Sequence, residues 1–200
     1  MADIQTLINA IPDAQDGDVI TANSHNSIKQ ALIAIAGQLG GTTGNVTQTI
    51  QPAFLPIPPN PTWNVSLGLA ADQGPPGADG FIPLNLPDGA VIQQMVAMGA
   101  KINSAPKGFA NLLILPIGSG GTGSSTLIQI DLTNAGAPFT LTGTPSTSNI
   151  PGVTAAGLKQ MQTVQNSQFK YVIETKILSP AGTPVASVTI NAFQVIYSKS

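Results

Sequence analysis

The sequence predicts a mainly β protein, an antiparallel jelly-roll-like β-sandwich that follows a short N-terminal helical anchor. Charged residues make up only 8% of the chain, whereas Gly and Pro supply 21 and 17 positions, which is typical of a loop-rich β protein. The 42% of apolar residues argue against a disordered chain. From residue 63 onward apolar and polar residues alternate with a period of two. We therefore predict a helical segment at 1–40, a Pro-rich linker at 41–62 and a sandwich at 63–200.

The first segment contains a capped and strongly apolar helical pattern. Thr21 or Asn23 can accept the first amide hydrogen bonds of a helix, and Gly40 can end it. Large apolar residues then recur at spacings of four, three and four, as in a coiled-coil seam: Ile28, Leu32, Ile35 and Leu39. Two interpretations remain open, a helix packed on its own β domain and a helix that holds several chains together. The four residues are the predicted oligomer or anchor interface.

The linker favours the second interpretation. Five prolines lie between Pro52 and Pro61. Pro-rich sequence adopts an extended polyproline II conformation and acts as a semi-rigid spacer. We therefore expect the helix to be held away from the sandwich.

Short apolar-polar alternating runs separated by Gly, Pro and Asn turns predict the strands of the sandwich. These runs lie at 63–69, 81–86, 90–98, 109–117, 126–132, 138–142, 168–178 and 185–197. In "FKYVIETKIL", Tyr171 and Ile173 lie on one face, and Lys170 and Glu174 lie on the other. The first face is predicted to pack in the core and the second to be exposed to solvent. The segment 144–166 is predicted to be a loop or to carry a short helix.

Composition excludes several classes of function. A net charge of −2 without any arginine argues against nucleic-acid binding, because phosphate contacts need clustered basic residues. The absence of cysteine removes disulfides, thiol catalysis and Cys-based zinc sites. No signal peptide or apolar run of membrane-spanning length is found, so we expect a soluble chain made in the cytoplasm and no membrane partner.

A Gly-rich motif and a single histidine are the residues that could indicate a cofactor site or a catalytic site, and neither is sufficient to predict one. "GSGGTG" at 118–123 matches a dinucleotide-binding pattern, but the sequence after it is β-branched and alternating, so no helix N-terminus would receive a phosphate. His25 is the only histidine and lies in the helical segment, where a polar position that sets oligomer register is expected. No nucleophile, base and orienting group can be combined. We therefore predict no catalytic residues, no metal, no cofactor and no enzyme activity.

Aromatic residues are few. Trp63, Tyr171 and Tyr197 could form a sugar-stacking face, but the two tyrosines alternate in phase with apolar residues. They are predicted to lie in the core.

Two stretches of the chain resemble proteins of tailed bacteriophages. "IPDAQDGDVITANSHNSIKQALIAIAGQLG" resembles the N-terminal segment of virion structural proteins, in which a D-G-x-x-I-T-x-x-x-H-N stretch precedes a short apolar helix. "LPDGAVIQQMVAMGAKI", with the later "YVIETKIL" and "VTINAFQVIYS", is similar to a jelly-roll module of phage and bacterial surface proteins. The first stretch and the module that the later strands bracket together span about two thirds of the chain.

The resemblance implies a homotrimeric virion component, made in the host bacterial cytoplasm, such as a capsid decoration protein, a head fibre or a tail-fibre-like appendage. Its partners would be itself and other virion proteins of the capsid or tail. The alternative is a receptor- or glycan-binding module at the tip of a phage appendage, whose partner would be a host-surface glycan. No catalytic residue follows from the resemblance.

Overall fold

A computed structural model describes residues 28–29, 44–59, 61–118 and 123–199. The contacts divide the chain into two units, Met1–Gly44 and Asn45–Ser200. In the first unit residues 28 and 29 are helical, and the rest of the predicted helical anchor lies outside the described residues. The second unit is a β-sandwich.

The strands of the sandwich are antiparallel throughout. Their bounds are β1 (Asn45–Ile50), β2 (Leu55–Pro56), β3 (Asn64–Ser66), β4 (Leu69–Ala71), β5 (Gly77–Leu84), β6 (Val91–Lys101), β7 (Lys107–Pro116), β8 (Ser125–Asp131), β9 (Phe139–Gly143), β10 (Phe169–Leu178) and β11 (Val188–Ser198). One sheet has the order β3, β4, β11, β6, β9, and β1 also pairs with β11. The other sheet has the order β2, β5, β10, β7, β8.

The strand order is that of a jelly roll. Moving inward from the ends of the fold, β4 pairs with β11, β5 with β10, β6 with β9, and β7 with β8. The chain therefore folds as one long hairpin whose nested pairs alternate between the two sheets. The mainly β, antiparallel sandwich predicted from the sequence is confirmed.

The core lies between the two sheets and is built from the inward positions of the alternating strands. In β10, Tyr171, Ile173 and Ile177 are buried, whereas Lys170 and Lys176 are exposed. The predicted core positions of Trp63, Tyr171 and Tyr197 are confirmed, since each is at most 7% exposed. Trp63 also donates a hydrogen bond from Nε1 to the carbonyl oxygen of Thr175, at 3.2 Å, so its polar atom is satisfied inside the core.

The structure differs from the predicted linker. Residues 45–50 form β1, whose register with β11 runs from Asn45 opposite Ser198 to Ile50 opposite Phe193. Phe54 is buried and stacks on Trp63 with ring centroids 5.0 Å apart. The described part of the Pro-rich segment thus contributes strands and core to the sandwich, because its apolar residues find partners far away in sequence.

Two local predictions change in detail. The single strand predicted at 63–69 is a hairpin of β3 and β4 with its turn at Leu67 and Gly68. The segment predicted as a loop or short helix carries a 3₁₀ turn at Thr147–Asn149 and the helix α1 (Ala155–Gln162). Thr154 caps α1 by accepting a hydrogen bond from the amide of Gly157 on its hydroxyl oxygen, at 3.2 Å.

Candidate functional site

The predicted seam can be followed at one position only. Ile28 is helical and 39% exposed. Leu32, Ile35 and Leu39 lie outside the described residues. The seam therefore stays a prediction, and the sandwich supplies the candidate sites that can be described in atomic detail.

The first candidate is one edge of the sheet that contains β11. Residues 193–198 of β11 pair with β6 on one side and with β1 on the other, and residues 189 and 190 pair with β6 and β4 in the same way. Because each strand has only two edges, β1 and the β3–β4 hairpin lie end to end along the same edge of β11. We call β1 together with this hairpin the uncharged edge, since no charged residue occurs from Gln30 through Ala71.

The hairpin of the uncharged edge is apolar at its tip. Leu67 is 99% exposed, and Val65 and Leu69 beside it are each 44% exposed. The turn has φ +49° at Leu67 and φ +79° at Gly68, which are the signs of a type I′ turn. Glycine, asparagine and aspartate adopt such angles readily, whereas a bulky residue does so rarely. Leu67 thus combines backbone strain with full exposure.

The second candidate is a groove on the outer face of the other sheet, with a volume of about 310 Å³. Its walls are mostly apolar, with a carboxylate and a hydroxyl among them. The lining residues are Ile57, Phe81, Leu113, Leu115, Ser124, Val172 and Glu174.

A row of polar side chains crosses the sheet beside this groove. Gln129 donates a hydrogen bond from Nε2 to Oδ1 of Asn111, at 3.2 Å, and Asn111 donates from Nδ2 to Oε2 of Glu174, at 3.5 Å. The three residues belong to adjacent strands and occupy directly opposed positions in the register. An amide and carboxylate row next to an aromatic ring can accept and donate hydrogen bonds to a polyol.

Two buried charged groups have structural roles. Asp72 accepts hydrogen bonds from the amide of Val188 at 2.8 Å and from the hydroxyl of Ser179 at 3.1 Å, so it joins the loop after β4 to the loop before β11. Lys101 donates to the carbonyl oxygens of Leu132 and Thr133. Burial lowers the pKa of the Lys101 ammonium, and the nearby carboxylate of Asp131 opposes that shift. Both groups hold loops in place.

Within the described residues no group of three or more His, Asp or Glu side chains is placed to hold a metal ion. In the same part of the chain no helix has the length and apolar character needed to span a membrane. The Gly-rich stretch at 118–123, of which 119–122 lie outside the described residues, is followed by strand β8. The local structure after these glycines is thus the strand that the sequence predicts.

Sequence reasoning missed both the uncharged edge and the groove. The first has a sequence signal, since a long uncharged stretch precedes Asp72 and "SLGL" places leucine where a tight hairpin usually has asparagine. The groove has none, because its lining residues come from three strands and two loops that only the fold brings together. No family model, curated protein or solved structure matches the chain.

Proposed function

We propose that the chain is a non-enzymatic structural component of a bacteriophage particle, a trimer that is anchored by its N-terminal segment and displays the β-sandwich. The proposal rests on the resemblance of the N-terminal and C-terminal stretches to virion proteins. Jelly rolls are common in viral capsid proteins, so the architecture is compatible with that origin. The role is capsid decoration or a head or tail fibre.

The observation that carries the proposal is a difference between the two parts of the chain. The sandwich fills the space between its sheets with a core drawn from residues 54–197. The N-terminal sequence offers a second set of apolar residues at coiled-coil spacing, which needs apolar partners to be buried. Full burial of a large apolar side chain contributes about 1.5 to 3 kcal/mol, so four such residues in each of three chains supply the favourable term that opposes the entropy cost of association.

The oligomeric state tests the seam. Replacing Leu32 and Ile35 with aspartate would place unpaired charges in an apolar interface, which is strongly unfavourable. We expect light scattering to show a trimer for the wild type and a smaller species for this double variant. Asn23→Asp with Gln30→Asp adds the same charge on the side of the helix opposite the seam and should leave the trimer intact. An unaltered trimer in the seam variant would contradict the anchor.

Incorporation into particles tests the function itself. Chains that lack residues 1–44 should be absent from purified particles, whereas the full-length chain should be present at constant occupancy. A circular dichroism spectrum of the shortened chain should keep its β signature, which shows that the loss is one of attachment. Normal occupancy of the shortened chain would locate attachment on the sandwich and overturn the proposed anchor.

The groove favours a second candidate, the glycan-binding module. Sugar sites combine an aromatic or apolar surface with amide and carboxylate side chains. The groove offers Phe81 and Glu174, and the Asn111 amide beside the groove donates a hydrogen bond to Glu174. A glycan array with the full-length chain tests this function. Binding that disappears in Glu174→Ala but persists in Lys170→Ala, on the same strand, would support it. No binding on the array would contradict this second candidate.

A further inference from the structure

We propose that the uncharged edge is the surface through which the sandwich contacts a second copy of this chain. The edge offers two kinds of group that a partner can satisfy. One edge of β1 pairs with β11, and its other edge meets no strand among the described residues. The hairpin beside it exposes Val65, Leu67 and Leu69.

The free edges of the two sheets differ in how they are protected. Sheet edges normally carry charges, proline or very short strands, which prevent the pairing of one sheet with another. In the second sheet both edge strands are protected. β2 has only two residues, one of which is Pro56. β8 carries Asp131, and its pairing with β7 has an irregular register opposite Leu112 and Leu113. In the first sheet, β1 has six residues, "NVTQTI", without charge or proline. It has the properties of a strand that accepts a partner.

The opposite edge of the first sheet is less accessible. β9 is also uncharged, but its end lies against β8, since a Cβ at Gly143 would be 2.6 Å from Cγ2 of Ile128 and 3.1 Å from the carbonyl oxygen of Gln129. The uncharged edge is therefore the better site for a partner of the two.

The conformation and exposure of Leu67 also favour the uncharged edge as a contact surface. Asn-Gly is the preferred pair for a type I′ turn, and the chain has Leu-Gly there. A leucine at φ +49° is conformationally unfavourable, and its exposed side chain is hydrated in the isolated subunit. Both costs are offset if the side chain is buried against another molecule.

The chemistry of the surface selects a second copy as the partner. An edge without charge offers no counter-ion to a nucleic acid, an acidic headgroup or a charged peptide. A second copy presents the same uncharged strand and the same apolar hairpin, so the two surfaces match in polarity. β1 also begins at Asn45, the first residue after the N-terminal unit. Any association of copies through residues 1–44 therefore tethers their β1 strands closely. Because the contact uses the same surface on both copies, it joins two copies at a time.

This contact goes beyond the proposed function, because it concerns the sandwich and holds whether or not the chain belongs to a particle. The test uses the full-length chain with Leu32→Asp and Ile35→Asp, so that the predicted seam makes no contribution. Sedimentation equilibrium then measures self-association up to the roughly millimolar concentration that a short tether produces. We expect a reversible, concentration-dependent rise in mass, and a monomer throughout would overturn the inference.

Two variants of that chain locate the contact. Leu67→Asn creates an Asn-Gly turn, so it should keep or raise the melting temperature while it weakens self-association at least tenfold. Thr47→Lys with Thr49→Lys adds the charges that normally protect an edge, and should also weaken it. Ile102→Asn is the matched control, since Ile102 is exposed but lies after β6, outside the uncharged edge.

The outcomes separate this inference from the proposed function. Equal self-association of Leu67→Asn and Ile102→Asn would overturn it. A melting temperature of Leu67→Asn that is lower than that of its parent chain, measured at a concentration where both are monomeric, would also overturn it, because the weaker association would then reflect a damaged fold. Failure of the N-terminal anchor is detected independently in dilute solution, where the edge contact is dissociated. There the wild type should be a trimer and the chain with Leu32→Asp and Ile35→Asp should be smaller, and equal masses would contradict the anchor alone.

Discussion

Phe54 tests whether the Pro-rich segment belongs to the sandwich. Phe54 is 7% exposed, stacks on Trp63 at a centroid distance of 5.0 Å and meets Phe193 edge-on at 6.1 Å. Gly80 leaves room for it, because a Cβ at that position would lie 2.9 Å from the Cβ of Phe54. The side chain thus fills a closely packed site between the sheets.

We expect Phe54→Ala to lower the free energy of unfolding by about 3 to 5 kcal/mol, the usual cost of removing a buried aromatic side chain. For a domain of ordinary stability, about 5 to 15 kcal/mol, this is a large fraction of the total. Urea unfolding followed by tryptophan fluorescence measures it. With a slope of about 2 kcal/mol per molar urea, the midpoint should fall by roughly 2 M.

Leu55→Ala is the matched control, since Leu55 is the next residue and is 46% exposed. Its cost should be about 1 kcal/mol, because only about half of the leucine side chain is removed from solvent in the folded protein. If the segment were a spacer outside the sandwich, both variants would have the same urea midpoint as the wild type. Equal midpoints for Phe54→Ala and Leu55→Ala would therefore refute the packing argument.

Further measurements test other parts of the sandwich. A chain of residues 45–200 should unfold cooperatively, whereas one of residues 62–200, which lacks β1 and Phe54, should be strongly destabilised or aggregate; equal melting temperatures would contradict this. Asp72→Ala leaves the buried amide of Val188 without its acceptor and should cost about 1 to 3 kcal/mol in unfolding free energy. Asp72→Asn keeps an acceptor oxygen and should cost less, and an equal loss would argue against the hydrogen bond. Burial lowers the pKa of Lys101 from its usual 10.5, so the unfolded chain binds this proton more tightly than the folded protein does. Stability should thus rise with pH relative to Lys101→Met between the lowered pKa and 10.5, and parallel pH curves for the two proteins would contradict it.

The strands that sequence reasoning found are those with strong local alternation. In β10 the buried positions Tyr171, Ile173, Thr175 and Ile177 recur at every second residue, and the charged residues Lys170, Glu174 and Lys176 lie on the other face. Tyr197 also alternates in phase with apolar residues, and both it and Trp63 are buried. The turns between strands follow Gly, Pro and Asn, whose conformational preferences are local.

The Pro-rich segment was misjudged because the decisive contacts are not local. Proline predicts an extended backbone, and an extended backbone is compatible with both a spacer and an edge strand. Which one forms depends on β11, whose Phe193 lies opposite Ile50 although the two are far apart in sequence. Likewise, "WNVSLGL" alternates like a strand, and its turn at Leu67 lacks the asparagine that would have revealed a hairpin.

The sequence by itself determined that the fold is mainly β and antiparallel, since alternation with a period of two and frequent turn residues are typical of such sheets. It also determined the absence of charge along residues 30–71, from which the uncharged edge derives its character. Only the tertiary structure decided which strands lie at the edges of the sheets. Each strand could pair with several others that are distant in sequence and have a similar propensity to form strands, so the local sequence does not determine the order. The same pairing placed Glu174 beside Asn111 and exposed Leu67, so both candidate surfaces are properties of the strand order.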